Sequence, residues 1–240
     1  MPFVQVNDIE LYYESHGAGD PLVLIGGLGQ AVSETRTLIS ALAAAGYRVI
    51  AADNRGAGRS AKPPGPYTIR QMADDTAALL TQIGVARTHV LGISMGGRIA
   101  LSLALDHPGL VDHLVLASTG PRTSRRRWRV RLGMAVSRLP ALRGKNPPPP
   151  HALRAQFQAS GSYDATACLG KISQPTLIVH GRADRIAPPA LAREMHNAIP
   201  GSRFALLNGG HLISLLPHRQ EQFVATVLGF LPPSKPPTAA

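Results

Sequence analysis

The stretch that decides the fold is Val90-Leu91-Gly92-Ile93-Ser94-Met95-Gly96-Gly97, an apolar run that leads into a serine flanked by glycines. This pattern predicts a buried strand, a sharp turn and the start of a helix. Gly92 and Gly96 leave room for a strained turn because they carry no side chain. The turn would lift the Ser94 hydroxyl out of the sheet and set the Met95 N–H at a helix N-terminus, where negative charge is favoured. We therefore expect a nucleophilic serine, the alternative being an ordinary Gly-rich turn between a strand and a helix.

Strands and helices alternate on both sides of this turn. Apolar or alternating runs predict eight strands, at residues 3–6, 9–14, 21–25, 47–52, 88–93, 114–117, 176–180 and 203–207. Helical patterns follow many of them, at residues 33–45, 68–83, 95–106, 189–198 and 218–230, with Ser33 and Thr68 as predicted N-caps. The alternation predicts an α/β fold, a mostly parallel sheet of about eight strands with helices on both faces. Ligand sites of such sheets lie beyond the carboxyl ends of the strands.

The composition is that of a globular protein. The 240 residues are 44% hydrophobic and 16% charged, and no apolar run is long enough to span a membrane. No secretory signal is predicted, and Cys168 is the only cysteine, so an internal disulfide is excluded. These features predict a cytoplasmic protein. No Cys/His cluster has metal-ligand spacing, so we expect neither a metal nor a cofactor.

A catalytic serine needs a base and a group that orients the base, and both are predicted in loops that follow later strands. His211 lies in Asn208-Gly209-Gly210-His211-Leu212, where paired glycines let the loop carry an imidazole over the sheet. Among the other histidines, His89 begins a strand and His180 ends one, which favours structural roles. Asp184 is the carboxylate that follows the seventh predicted strand, with a helix cap as its alternative role. The order Ser94, Asp184, His211 is expected when such a turn sits on an α/β sheet.

Two backbone N–H groups are needed to hold the negative charge that develops on a substrate carbonyl. Met95 is predicted to supply one of them. Leu28, in the loop Gly26-Gly27-Leu28-Gly29 after the third predicted strand, is predicted to supply the other. The alternative for this loop is a flexible turn without a ligand.

Four motifs of the chain resemble the α/β-hydrolase fold superfamily, within the group of carboxylesterases, enol-lactonases and C–C bond hydrolases. They are Asp53-x-Arg55-Gly56-x-Gly58-x-Ser60, Gly92-Ile93-Ser94-Met95-Gly96-Gly97, Gly181-x-x-Asp184-x-x-x-Pro188 and Gly210-His211. The resemblance covers about residues 3–120 and 171–231. It implies a Ser–His–Asp triad, with Asp53 and Arg55 bracing the loop near the oxyanion site.

The chain also departs from parts of that superfamily. Serine at position 94 argues against haloalkane dehalogenases and most epoxide hydrolases, which have aspartate at the turn. Many relatives have His-Gly where this chain has Gly26-Gly27, so a side-chain brace of the oxyanion loop is missing while the Leu28 N–H is kept. Leu212 stands where C–C hydrolases commonly have tryptophan, which weakens that activity as an expectation.

By the resemblance, residues 121–170 are a short cap inserted into a core of residues 1–120 and 171–231. Residues 232–240 are rich in proline, which predicts a disordered tail. Within the cap, Pro147-Pro148-Pro149-Pro150 predicts an extended, stiff segment in place of a helix. A short cap predicts a shallow or open substrate pocket.

The cap accounts for most of the chain's net positive charge. Residues 122–145 contain nine Arg and Lys residues and no acidic residue, whereas the whole chain has a net charge of +11. An amphipathic helix is predicted over residues 124–139, with its apolar face on the core. Its arginines either face water or contact an acidic substrate or acyl carrier, and contact with an anionic membrane is less favoured. Nucleic acid is not expected as a partner, because aromatic residues are not interleaved with the basic ones.

These features together predict a serine hydrolase that cleaves a carboxylic ester or lactone of a small organic molecule through an acyl-enzyme. Ser94, Asp184 and His211 form the predicted triad, Leu28 and Met95 form the predicted oxyanion hole, and no cofactor is needed. Two alternatives stay open, because one fold supports many reactions. The first is a lyase, cyclase or thioesterase of a biosynthetic pathway. The second is a non-catalytic protein that binds a ligand in the same pocket.

Overall fold

The computed structural model describes residues 2–123 and 146–233. The predicted helix over residues 124–139 lies outside the described residues, as does the part of the predicted tail from residue 234 onward. The described strands are β1 Phe3–Val6, β2 Ile9–His16, β3 Pro21–Ile25, β4 Arg48–Ala52, β5 Thr88–Ile93, β6 Val111–Ala117, β7 Thr176–Gly181 and β8 Arg203–Leu207. The described α-helices are α1 Arg36–Ala44, α2 Ile69–Gln82, α3 Met95–Asp106, α4 Pro150–Ser162, α5 Pro189–Ala198 and α6 Pro217–Leu228.

The strands form one sheet in the order β1-β2-β4-β3-β5-β6-β7-β8. The β1–β2 and β2–β4 pairs are antiparallel, and every other neighbouring pair is parallel. The predicted α/β fold with a mostly parallel sheet of eight strands is confirmed. The candidate catalytic residues lie in loops that follow β3, β5, β7 and β8. These strands are parallel, so their carboxyl ends lie at the same edge of the sheet.

Apolar cores cover both faces of the sheet. Alternate side chains of β3 point to opposite faces, with Val23 and Ile25 in one core and Leu22 and Leu24 in the other. Helices α2, α3 and α5 pack on the first face, and α1 and α6 pack on the second. The continuous apolar run of β3 is therefore explained by burial on both faces, as predicted for a parallel sheet.

The sequence predicted the N-cap residue of α2 correctly and that of α1 wrongly. Thr68 caps α2, since its hydroxyl accepts a hydrogen bond from the Gln71 N–H at 3.0 Å. Ser33 does not cap α1, because it lies inside a 3₁₀ turn at Val32–Glu34 and Thr35 is the N-cap. The Asp53 carboxylate accepts the Val32 N–H at 2.6 Å and so anchors the start of this 3₁₀ turn.

The described end of the predicted cap contains a helix that the sequence did not predict. Pro149 has the extended conformation expected for a proline run, but Pro150 is the first residue of α4. Proline is well accepted there, because the first residues of a helix have no intrahelical partner for their N–H groups. Among the described residues, no helix is both long enough and apolar enough to cross a membrane.

Candidate active site

Ser94 sits on a strained turn between β5 and α3. Its backbone has φ 57° and ψ −114°, a conformation that residues with a side chain seldom adopt. The turn fits only because its neighbours are glycines. A Cβ at Gly96 would overlap the carbonyl oxygen of Ile25, and one at Gly92 would lie 2.7 Å from the Ala100 Cβ. The turn predicted from the sequence is therefore the observed one, with the serine at its apex.

Three side chains that are far apart in sequence meet above the sheet edge. Ser94 Oγ lies 2.9 Å from His211 Nε2, and His211 Nδ1 lies 2.8 Å from Asp184 Oδ2. Asp184 is an acceptor when ionised, so Nδ1 carries the imidazole proton and Nε2 presents its lone pair to the serine. Backbone hydrogen bonds join the two loops that carry the acid and the base, from Arg182 N–H to Leu207 O and from Ala183 N–H to Gly209 O.

The Asp184 side chain is buried and held as an anion. Its Oδ1 accepts hydrogen bonds from the Ile186 and Ala187 N–H groups, both at 2.9 Å. Burial raises the pKa of this carboxyl, but hydrogen bonds from His180, His211 and the Ala187 N–H outweigh burial and lower the pKa to about 2. The carboxylate is therefore charged at any pH near neutral, as a group that orients an imidazole must be.

A second histidine contacts the same carboxylate, and sequence reasoning placed it among the structural histidines. His180, the penultimate residue of β7, is fully buried. Its Nε2–H donates to the Ala187 carbonyl oxygen at 2.7 Å and lies 3.3 Å from Asp184 Oδ2. The signal that could have found it is its position four residues before Asp184, at the strand end from which the acid loop begins.

The predicted oxyanion loop lies beside the serine. A Cβ at Gly27 would lie 3.4 Å from Ser94 Cβ, which is van der Waals contact, so the loop is directly adjacent to the serine. Within the described residues, the N–H groups of Leu28 and Met95 make no hydrogen bond to the protein. Gln30 braces the loop in place of the missing histidine, because its Oε1 accepts the Gly27 N–H at 2.8 Å.

A buried glutamine from α4 holds the next residue of the same loop. Gln156 Oε1 accepts the Gly29 N–H at 2.7 Å, and its Nε2 donates to the Arg55 carbonyl oxygen at 2.7 Å. Leu153 and Pro148 lie against Gly29, where a Cβ would come within 3.1 and 3.2 Å of them. Residues between β6 and β7 therefore cover and fix the oxyanion loop. No local sequence signal marks Gln156 for this role.

Asp53 and Arg55, which were expected to brace the predicted oxyanion loop, contact this part of the structure in different ways. Asp53 holds the segment that follows the oxyanion loop, since its carboxylate accepts the N–H groups of Val32 and Arg59. Arg55 instead joins two carboxylates elsewhere, Asp75 on α2 and Asp8 in the β1–β2 turn. Its backbone carbonyl, and not its guanidinium, connects to the oxyanion loop, through the glutamine of α4.

Arg98 ties α3 to the described residues at both ends of the segment between β6 and β7. The guanidinium donates to the carbonyl oxygens of Gly120, Arg122 and Ser160, at 3.3, 3.0 and 2.8 Å. Burial lowers the pKa of Arg98 to about 10, which still leaves it charged at neutral pH. Arg122 is the basic residue of the 122–145 run that falls within the described residues, and it is paired with Glu194 at 2.9 Å.

Comparisons with known proteins agree with this fold. A family model described as alpha/beta hydrolase fold matches residues 20–158. A putative carbamate hydrolase, RutD, of Azorhizobium caulinodans is 31% identical, over 96% of this chain and 98% of its own.

Solved structures agree as well. The enol-lactonase of Burkholderia xenovorans LB400 superposes with a TM-score of 0.85 at 27% identity, covering 95% of this chain and 99% of its own. An esterase from Exiguobacterium antarcticum also gives a TM-score of 0.85 at 27% identity, covering 95% and 98%. The chain belongs to the α/β-hydrolase family of enzymes.

Proposed function

We propose that the protein is a serine hydrolase that cleaves a carboxylic ester or lactone of a small organic molecule. The observation that carries the proposal is the unbroken line of hydrogen bonds from Ser94 Oγ to His211 Nε2, at 2.9 Å, and from His211 Nδ1 to Asp184 Oδ2, at 2.8 Å. Serine is a weak nucleophile, and this arrangement supplies both the base and the group that orients it.

The reaction uses these groups in two halves. Ser94 Oγ attacks the substrate carbonyl carbon while His211 Nε2 takes the hydroxyl proton. The N–H groups of Leu28 and Met95 hold the oxyanion of the tetrahedral intermediate. His211 then returns the proton to the leaving oxygen, which departs and leaves an acyl-serine. A water molecule, deprotonated by His211, attacks this acyl group, and the acid leaves as Ser94 regains its proton.

The names of similar proteins support esters and lactones as substrates and add carbamates as a third class. Two similar structures are an enol-lactonase and an esterase, and both activities begin with attack on an ester carbonyl. A putative carbamate hydrolase is similar over nearly the whole chain. A carbamate carbonyl is open to the same attack, so carbamates belong in the substrate panel beside esters and lactones.

We further propose that residues 121–170 act as the cap of a core formed by residues 1–120 and 171–231. Support comes from α4, which packs on the oxyanion loop through Leu153 and Gln156. The nine basic residues of the 122–145 run favour an acidic acyl group, so the panel should pair neutral esters with esters of dicarboxylic acids.

The decisive experiment compares Ser94→Ala with Ser173→Ala, a matched control on an exposed serine of the same chain. We expect Ser94→Ala to abolish hydrolysis of p-nitrophenyl acetate with its circular dichroism unchanged, and Ser173→Ala to keep full activity. A fluorophosphonate probe should add covalently to Ser94, as mass spectrometry of the digested protein would show. Undiminished turnover by Ser94→Ala would refute the proposal.

The same reagents separate the remaining alternatives. A thioesterase or carrier-directed enzyme would react with the probe at Ser94 but turn over carrier-bound thioesters and leave simple esters intact. A ligand-binding protein would not react with the probe while keeping its affinity for small molecules. Hydrolysis of simple esters together with probe addition fits the proposed function alone.

A further inference from the structure

Three potential metal ligands meet at the end of the sheet opposite Ser94. His89 lies near the start of β5, and Asp112 and His113 lie near the start of β6. Asp112 Oδ2 is 3.3 Å from His89 Nδ1 and 3.0 Å from His113 Nδ1. The potential ligand atoms of the three residues all lie within 4.8 Å of one another. Parallel pairing of β5 with β6 creates this cluster, since the residues come from two strands.

One buried nitrogen of the cluster has no hydrogen-bond partner among the described residues. His89 is 4% exposed, and its Nδ1 is buried with no hydrogen-bond partner among the described residues. Although Asp112 Oδ2 lies 3.3 Å away, the pair lacks the alignment of a hydrogen bond. A buried polar nitrogen without a partner is costly, so a native structure that keeps one calls for an explanation.

A divalent transition-metal ion explains both the unsatisfied nitrogen and the spacing. Zn²⁺ binds imidazole nitrogen and carboxylate oxygen at about 2.0–2.2 Å, which separates neighbouring ligands of a tetrahedral site by roughly 3.3–3.5 Å. The 3.3 Å separation of Asp112 Oδ2 from His89 Nδ1 lies in that range, and the 3.0 Å hydrogen bond from His113 Nδ1 to Asp112 Oδ2 is a few tenths of an ångström shorter. We propose that His89, Asp112 and His113 form a metal-binding site, for which Zn²⁺ is the best chemical match.

The surroundings of the three ligands suit such a site. Arg87 Nη2 lies 2.9 Å from Asp112 Oδ1, whereas Asp112 Oδ2 accepts a hydrogen bond from His113 Nδ1, whose proton the ion would displace on binding. The Arg87 charge opposes a cation, but its side chain is 62% exposed and its field is screened by water. The His89 ring contacts Tyr47 edge-on and the His113 ring contacts Phe230 edge-on, so both imidazoles are held in orientation. The side chains of Asp112 and His113 are 31% and 22% exposed, which lets water occupy a fourth ligand position.

The site is separate from the proposed catalytic residues. His89 and Ser94 lie near opposite ends of β5, and five residues of extended strand span about 16 Å. A bound ion would join the starts of β5 and β6 without contacting substrate. Its effect is therefore expected on stability and not on the chemical step.

Zinc titration of the full chain tests the site. With a chromophoric chelator as competitor, we expect one Zn²⁺ per chain, and at least tenfold weaker binding in Asp112→Asn and in His113→Gln. His107→Gln is the matched control, because His107 pairs with Asp74 at 2.8 Å in a partly exposed site that has no third donor among the described residues. A second control, His211→Gln, removes the imidazole that contacts Ser94 and should leave zinc binding unchanged.

Thermal unfolding gives an independent readout. Zinc at about 100 times its dissociation constant should raise the Tm of the wild type by roughly 5–10 °C and that of the two ligand variants by much less. Both ligand variants change partly exposed side chains, so they should fold. The proposal is overturned if the wild type binds no zinc, if both variants bind it as tightly as the wild type, or if His211→Gln abolishes the binding.

Discussion

Replacing Asp184 by asparagine should inactivate the enzyme without unfolding it. In the wild type, Asp184 Oδ1 accepts two backbone N–H groups at 2.9 Å, and Oδ2 accepts His211 Nδ1–H at 2.8 Å. The asparagine amide has one oxygen, and the two backbone donors will hold it at the Oδ1 position. Its NH₂ group then occupies the Oδ2 position and points at His211.

The replacement of an acceptor by a donor at the Oδ2 position changes the tautomer of His211. An NH₂ donor that faces Nδ1 requires a lone pair on Nδ1, so the imidazole proton moves to Nε2. Nε2 lies 2.9 Å from Ser94 Oγ and would then be a donor, unable to take the serine proton. In a triad this wrong tautomer lowers kcat by about 10⁴-fold, which corresponds to a barrier about 5 kcal/mol higher. KM should change little, because Asp184 is buried and does not face the substrate.

Steady-state hydrolysis of p-nitrophenyl acetate measures this effect. Asp164→Asn is the matched control, since Asp164 is exposed and its carboxylate likewise accepts a nearby backbone N–H, that of Thr166 at 2.9 Å. The control should keep wild-type kcat. If Asp184→Asn folds normally, as judged by circular dichroism, and keeps kcat within tenfold of the wild type, the assigned role of Asp184 is wrong.

Two further predictions concern stability and the oxyanion loop. Because the folded-state pKa of Asp184 is about 2, below its ordinary 3.8, its ionisation stabilises the fold above pH 4. That contribution, about 2 kcal/mol, should be lost as the pH falls from 4 to below 2. Urea unfolding at pH 5, 3 and 2 should show this loss in the wild type, and Asp184→Asn should lack that component. Gln156→Leu should lower the free energy of unfolding by about 2–4 kcal/mol, because the Gly29 N–H and the Arg55 carbonyl are left unpaired. The same variant should lower kcat/KM at least tenfold, whereas Gln158→Leu on the exposed face of the same helix should match the wild type in both assays.

Local patterns were sufficient for much of the fold. The apolar run of β3, the Thr68 cap and the glycines around Ser94 each act through neighbours in sequence or through burial on a sheet face. Such effects depend on the residue type and its immediate spacing, which a sequence displays directly. The Ser33 prediction was wrong at a place where a distant residue acts, since the preceding residue, Val32, donates its N–H to the Asp53 carboxylate, twenty-one residues further along the chain.

Several supporting roles that depend on contacts between distant segments were not predicted. Gln156 reaches across 101 residues to the Arg55 carbonyl, and nothing near it in sequence distinguishes it from an exposed glutamine of the same helix. Nothing in the sequence distinguishes Arg98 from an exposed polar residue of its helix. In the structure, its guanidinium donates to the carbonyl oxygens of residues 120, 122 and 160. His180 and His89 both looked structural, and only their surroundings show that one contacts Asp184 and the other faces Asp112.

The sequence by itself predicted which loops carry the proposed catalytic residues, because a serine between glycines, an acid after one strand and a histidine after the next can be recognised in isolation. Only the tertiary structure decided what supports those groups. The second imidazole on Asp184, the glutamine that holds the oxyanion loop and the His89–Asp112–His113 cluster all arise when strands pair side by side and the insertion folds back. These contacts join residues that are far apart in sequence and become close only on folding. The neighbours of each residue in the sequence therefore do not reveal them.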